Sequence, residues 1–127
     1  MEADVRAVLE DAVRDVSADG ARTLVACAGT PTTLQAMSLG LARYDPDRIH
    51  RTWLAREEAE RILLEAASLS TAELSALPVM ARGRGDVIVA GAVVLVAVMD
   101  RLGFDRALVS ETDILDGLAF RQLGLGV

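Results

Sequence analysis

The sequence predicts an α/β fold, mostly helical with a few parallel strands, and three observations carry that prediction. Short, mainly apolar stretches at residues 23–28 and 106–109 alternate with segments of helical periodicity, the pattern of parallel strands joined by helical crossovers. A run of thirteen apolar residues, Val87 to Met99, is bounded by Asp86 and Asp100. Hydrophobic residues make up 52% of the chain but aromatics only 3%, so a core of Ala, Val, Leu and Ile is expected, suited to helices laid on a small buried sheet. At 127 residues the chain has room for one hydrophobic core and not for two.

The elements follow in order. Val5, Val8, Leu9, Ala12, Val13 and Val16 share one helical face, while Glu2 with Arg6 and Glu10 with Arg14 form helix-favouring pairs on the other. Asp19-Gly20 ends that helix. Thr23 to Ala28 lacks polar alternation and reads as a buried parallel strand. Gly29-Thr30-Pro31 reads as a turn, followed by a helix over 32–41. Tyr44 to Asp47 is a turn leading into a short extended piece around Arg48 to Leu54. Ala59, Ile62, Leu63 and Ala66 stripe a helix over 56–68, and Ser70-Thr71-Ala72-Glu73 is a capping-box pattern for a second helix that Pro78 stops.

The run from Val87 is the hardest to assign. Seven of its thirteen residues are Val or Ile, which favours strand, yet it is more than twice the length of a common strand, about 5–6 residues. The length decides for a helix buried on most of its circumference, running to Leu102 with Gly103 at its C-terminus. Arg106 to Val109 is then the second strand, and Asp113 opens a last helix with Asp113 and Asp116 near its positive end. Two strands alone do not make a stable sheet, so either a second copy or another polypeptide is expected to complete it, or the chain is a piece of something larger.

Charge and chemistry narrow the function. The net charge is -6, and all 13 basic residues are Arg, which argues against nonspecific nucleic-acid binding. Cys27 and His50 are single, so neither an internal disulfide nor a Cys/His zinc site can be assembled from this chain. The N-terminal segment is amphipathic and acidic, unlike a signal peptide, and the longest apolar run is shorter than the roughly 20 residues that span a bilayer. A cytoplasmic protein without membrane or nucleic-acid partners is the expectation.

Three strings, in order, carry a family resemblance. Leu24-Val25-Ala26-Cys27-Ala28-Gly29-Thr30-Pro31-Thr32-Thr33-Leu34 is similar to a strand–glycine–threonine–helix segment. Arg84-Gly85-Asp86-Val87-Ile88-Val89-Ala90-Gly91-Ala92 is similar to an Arg-Ala-Asp-Val-Ile…Gly-Ala segment, and Val109-Ser110-Glu111 with Asp113 to Leu118 to a closing strand and helix. Together they resemble the C-terminal part of the catalytic module of the exopolyphosphatase / guanosine pentaphosphate phosphohydrolase (Ppx/GppA phosphatase) family.

The resemblance implies half of an actin/Hsp70/sugar-kinase-like (ribonuclease H-like) domain, with residues 1–127 forming the second half of the family's second actin-like domain. It also implies removal of terminal phosphate from polyphosphate or guanosine pentaphosphate, with Mg as cofactor. The family's two phosphate loops and its catalytic Glu find no match here, so no catalytic and no metal residue is assigned. A missing N-terminal part of the enzyme or a homo-oligomer partner is expected to supply the rest. The chain departs from the family's pattern at Glu73-Leu74, Pro78-Val79, Arg51 after His50, and Gly85 in place of Ala.

By the same resemblance Gly29 and Thr30 form a phosphate-cleft wall. Independently, a glycine after a strand admits a ligand to the backbone, and the helix start that follows offers free N–H groups to an anion; the plain alternative is a tight turn. Weaker candidates are Arg84, able to grip phosphate oxygens bidentately, and Glu111 and Asp113, which with Asp116 could hold Mg or simply favour a helix N-terminus. Asp86 is expected to cap the long helix, the alternative being an ion pair with Arg84. Arg82-Gly83-Arg84 reads as a solvated turn, His50 and Ser110 have no triad partner, and Cys27 is expected to be an inert core thiol.

Three functions compete: a fragment of a Ppx/GppA-type phosphohydrolase, inactive alone; a non-catalytic interaction module that completes its sheet with a partner chain; and an independent small enzyme built on the acidic cluster.

Overall fold

The computed structural model describes residues 1–125. The chain folds as α1 (Glu2–Asp15), β1 (Leu24–Cys27), α2 (Gly29–Ser38), α3 (Pro46–Ile49), β2 (Thr52–Ala55), α4 (Arg56–Ala67), α5 (Thr71–Ser75), α6 (Ile88–Leu102), β3 (Arg106–Ser110) and α7 (Ile114–Gln122). The α/β class and the helical excess are as the sequence predicts.

The sheet differs from expectation. It has three strands in the order β1-β3-β2, with β1 parallel and β2 antiparallel to β3. The extended piece ending near Leu54 is thus a strand. Its four residues alternate: Leu54 is fully buried, while Trp53 faces outward and is 44% exposed. An Arg51 N–H bond to the Val109 carbonyl and an Arg56 N–H bond to the Asp105 carbonyl flank the β2–β3 ladder. So short a strand running straight into α4 leaves too little periodicity to be read from sequence.

β1 is not buried on both faces. Only Ala26 is buried; Val25 is 55% exposed and Cys27 is exposed. β1 lies at one edge of the sheet, paired on one side only. Helix α2 packs against all three strands on the face that carries buried Ala26, Leu54, Ala107 and Val109. The opposite face presents Val25, Leu108 and Trp53, which are register partners in one row across the sheet. Cys27 shares that open face by alternation, so it is an accessible thiol rather than an inert core one.

α6 is the central helix of the core. Between Ile88 and Met99 only Val94 is exposed, and α6 packs on α4, α2 and α1. Its C-terminus at Gly103 takes the left-handed conformation (φ 72°), which glycine adopts without Cβ strain. Leu34, Ile49, Leu54, Ile62, Ile88, Met99 and Val109 are the largest apolar side chains fully enclosed around it. No helix among the described residues is long and apolar enough to cross a membrane.

α1 and α7 are lightly attached. On α1, Val5, Leu9 and Val13 are half-buried, but Val8 and Val16 of the same stripe are exposed. Arg101 of α6 grips Glu10 of α1 through two hydrogen bonds and holds its carboxyl below the usual carboxylate range. α7 buries no residue, and Ile114, Leu115 and Leu118 are all more than half exposed.

Candidate functional site

The site forms where β1 hands over to α2. The sequence reads Gly29-Thr30-Pro31 as a turn, but these residues are the first turn of α2, and the break falls at Ala28. Ala28 has φ 72° and ψ -178°, a region that essentially only glycine enters without strain. Its carbonyl accepts from the Thr32 N–H and from the Thr32 hydroxyl (3.2 Å), which fixes the peptide in that orientation.

The N–H groups of Gly29 and Thr30 donate to no other described residue, and Pro31 has none to give. Two donors without a described partner therefore stand at the positive end of a ten-residue helix. Thr30 is held from behind. A Cβ placed on Gly91 of α6 would come within 3.0 Å of the Thr30 side chain, so the helices touch here through a glycine gap.

Arg84 completes the wall. A Cβ on Gly29 would overlap Nη1, Cζ and Nη2 of Arg84, so the guanidinium lies directly on the glycine's backbone. Among the described residues no carboxylate lies within ion-pairing distance of it. A cation placed at a helix N-terminus, with no counter-charge, is repelled by the dipole and attracts an anion to the point between them.

A cleft of about 340 Å³ opens at this point between α2 and the segment 78–84, lined by Gly29, Thr32, Thr33, Tyr44, Pro78, Met80 and Arg84 among others. The sequence marks Tyr44 only as part of a turn. Its hydroxyl donates to a Glu111 carboxylate oxygen, and burial followed by that hydrogen bond pushes the phenol above its ordinary value near 10. The Glu111 N–H in turn donates to His50 Nδ1 at 3.1 Å. The signal available in the sequence was that this is the chain's single Tyr, set in a chain poor in aromatics.

The other candidates have different occupations. Asp86 does not cap α6: the helix begins at Val87 without a side-chain cap, because the Arg84 carbonyl takes the N–H groups of both Val87 and Ile88 in a turn. Asp86 is exposed and makes no ion pair with Arg84 among the described residues. Asp113 and Asp116 form the capping box of α7, with Asp113 Oδ1 accepting from Leu115 N and Asp116 Oδ2 from Asp113 N. Gly85 is buried where a Cβ would meet Ser75 N at 2.9 Å, the physical reason for glycine where the family pattern has Ala. The described residues contain no group of three or more His, Cys, Asp or Glu able to hold a metal ion.

No family model matches the chain. Among curated relatives, it is 37% identical over 124 residues to Exopolyphosphatase 2 of Mycobacterium tuberculosis, covering 94% of this chain and 39% of that protein. The solved structure of an exopolyphosphatase-like protein superposes with a TM-score of 0.90 at 31% identity over 96% of this chain. These residues belong to the exopolyphosphatase (Ppx/GppA phosphatase) family. The Aquifex aeolicus Ppx/GppA member shares the fold, with a TM-score of 0.82 at 22% identity over 94% of this chain and 39% of its own. A bifunctional 3-dehydroquinate synthase/phosphatase of Fusobacterium nucleatum is 31% identical over 96 residues, 75% of this chain and 14% of that protein. The chain spans about 39% of the length of the exopolyphosphatases it matches among curated relatives.

Proposed function

We propose that these residues form one wall of a phosphate-releasing site of the Ppx/GppA type, acting on a terminal phosphate of polyphosphate or of guanosine pentaphosphate. The observation that carries this reading is the Arg84 guanidinium, lying unpaired over Gly29 at the start of α2. Arg84 and the Gly29 and Thr30 N–H groups hold the oxygens of an incoming phosphate and take up negative charge as the phosphoanhydride bond breaks. Tyr44, fixed by Glu111, bounds the far side of the cleft. Mg, where bound, would neutralise charge on the phosphates.

The opposing wall, with the attacking water and its base, is supplied by polypeptide that pairs with this unit as part of the same actin-like domain pair. The free edge of β1, with Val25 and Cys27 exposed on its open face, supports this, because a sheet of three short strands with an unpaired edge is an incomplete layer. The same observations favour the second reading, a non-catalytic module that completes its sheet with a partner chain. A cytoplasmic location belongs to both readings and rests on composition alone.

Phosphate release from polyphosphate in the presence of Mg tests the proposal. The 127-residue chain alone is expected to bind inorganic tripolyphosphate and to release no phosphate above background. Robust turnover by the isolated chain overturns the half-site reading. Failure to bind tripolyphosphate at millimolar concentration favours the interaction module.

A further inference from the structure

A second group of cations lies at the opposite end of the sheet. β1 and β3 run parallel, so Gly29 and Glu111 sit past their C-terminal ends, while Arg22 and Arg106 sit at their starts. Strands of this length separate the two ends by more than about 13 Å. There a groove of about 490 Å³ is lined by Arg22, Trp53, Phe104, Asp105 and Arg106, among others. That size lies within the ordinary range for small-molecule pockets, about 300–1,000 Å³.

The groove's charge is locally positive. Neither Arg22 nor Arg106 has a carboxylate within ion-pairing distance among the described residues. Asp105 is the one acid on the groove, leaving it net positive. Trp53, the single tryptophan, stands 44% exposed with the Arg106 guanidinium stacked on its ring, Cζ to centroid 4.2 Å. Such an indole–guanidinium stack presents a planar outer face on which a further ring can lie, and a second arginine beside it gives phosphate oxygens a partner.

We propose that this groove is a second ligand site, for a nucleoside phosphate, with the base on the Trp53–Arg106 stack and the phosphates at Arg22. A metal ion is a poor match for two arginines. Inorganic polyphosphate alone would use the cations but leave the exposed indole without a role. The inference does not rest on the function proposed for the cleft at Gly29.

Because Trp53 is the only tryptophan, its fluorescence reports on this groove directly. The test titrates the chain with ATP, adenosine and inorganic tripolyphosphate, exciting at the red edge and correcting for ligand absorbance. ATP is expected to give a saturable change with a Kd at least tenfold below those of both adenosine and tripolyphosphate. Arg22→Ala, at an exposed position, should weaken ATP at least tenfold while leaving the circular dichroism unchanged, and Arg84→Ala should leave ATP affinity at this groove as it was. No saturable change with ATP, equal affinity for tripolyphosphate, or an Arg22→Ala variant that binds like the parent overturns the proposal.

Discussion

Gly29→Ala probes the cleft through a single displaced atom group. The glycine carries no positive φ, so alanine fits the backbone, and the atoms nearest the new methyl are those of the Arg84 guanidinium. That is the far end of a flexible side chain, free to swing toward solvent. Alanine is the better helix former by about 1 kcal/mol in a helix interior and by less at a first turn, so net stability should move by no more than about 1 kcal/mol. The loss falls on the ligand. A hydrogen bond to a charged group is worth about 1.5–3 kcal/mol, which predicts inorganic tripolyphosphate binding about 10- to 150-fold weaker. The assay follows the Thr30 amide in two-dimensional NMR as tripolyphosphate is added, which separates this site from any other cation cluster. Arg84→Ala should cause a similar loss. The double variant should be no worse than either single, because both remove the same contact. Additive losses, or full affinity in Gly29→Ala, would refute the reasoning that Gly29 is there to seat Arg84.

Three further predictions follow from the same structure. Gly85→Ala, although it restores the family's usual residue, pushes a methyl against the Ser75 backbone and should lower stability by about 1–3 kcal/mol in urea unfolding; a neutral or stabilising result contradicts the packing described. Tyr44 is the single tyrosine, so absorbance at 295 nm titrates it alone, and its midpoint should lie above 10 and move down in Glu111→Gln while burial keeps it raised. The raised value means the neutral phenol is favoured in the folded chain: its contribution is complete below pH 10 and lost as the pH climbs through the folded midpoint. Asp113→Ala should cost about 0.5–2 kcal/mol through loss of the α7 cap and leave Mg affinity unchanged; abolished Mg binding with the fold intact would revive an acidic metal site.

Much of this architecture was legible from sequence, for physical reasons that differ by element. α6 was readable because thirteen uninterrupted apolar residues can only be a buried helix or an overlong strand, and Gly103 marks its end. The α5 capping box was readable because its two hydrogen bonds are made by side chains three residues apart. The exposure of Cys27 was not, since it depends on which faces of β1 find cover, a property of the whole sheet. Nor was the loss of Asp86 as a cap: a backbone turn at Arg84 satisfies the first helical N–H groups before any side chain is needed. At the site, the glycine and the arginine were each visible as candidates 55 positions apart. Their contact was not visible, because only the tertiary packing of α6 against α2 brings the segment before α6 onto the start of α2.

The central claim is that Gly29, Thr30 and Arg84 act as one wall of a phosphate-releasing site completed by other polypeptide. A chimera tests it most directly, with these residues replacing the matched portion of Mycobacterium tuberculosis Exopolyphosphatase 2 and phosphate release from polyphosphate measured with Mg. The account predicts release by the chimera and at least a tenfold fall in kcat/KM for its Arg84→Ala variant. A chimera that releases phosphate at the same rate with and without the Arg84 guanidinium would contradict it.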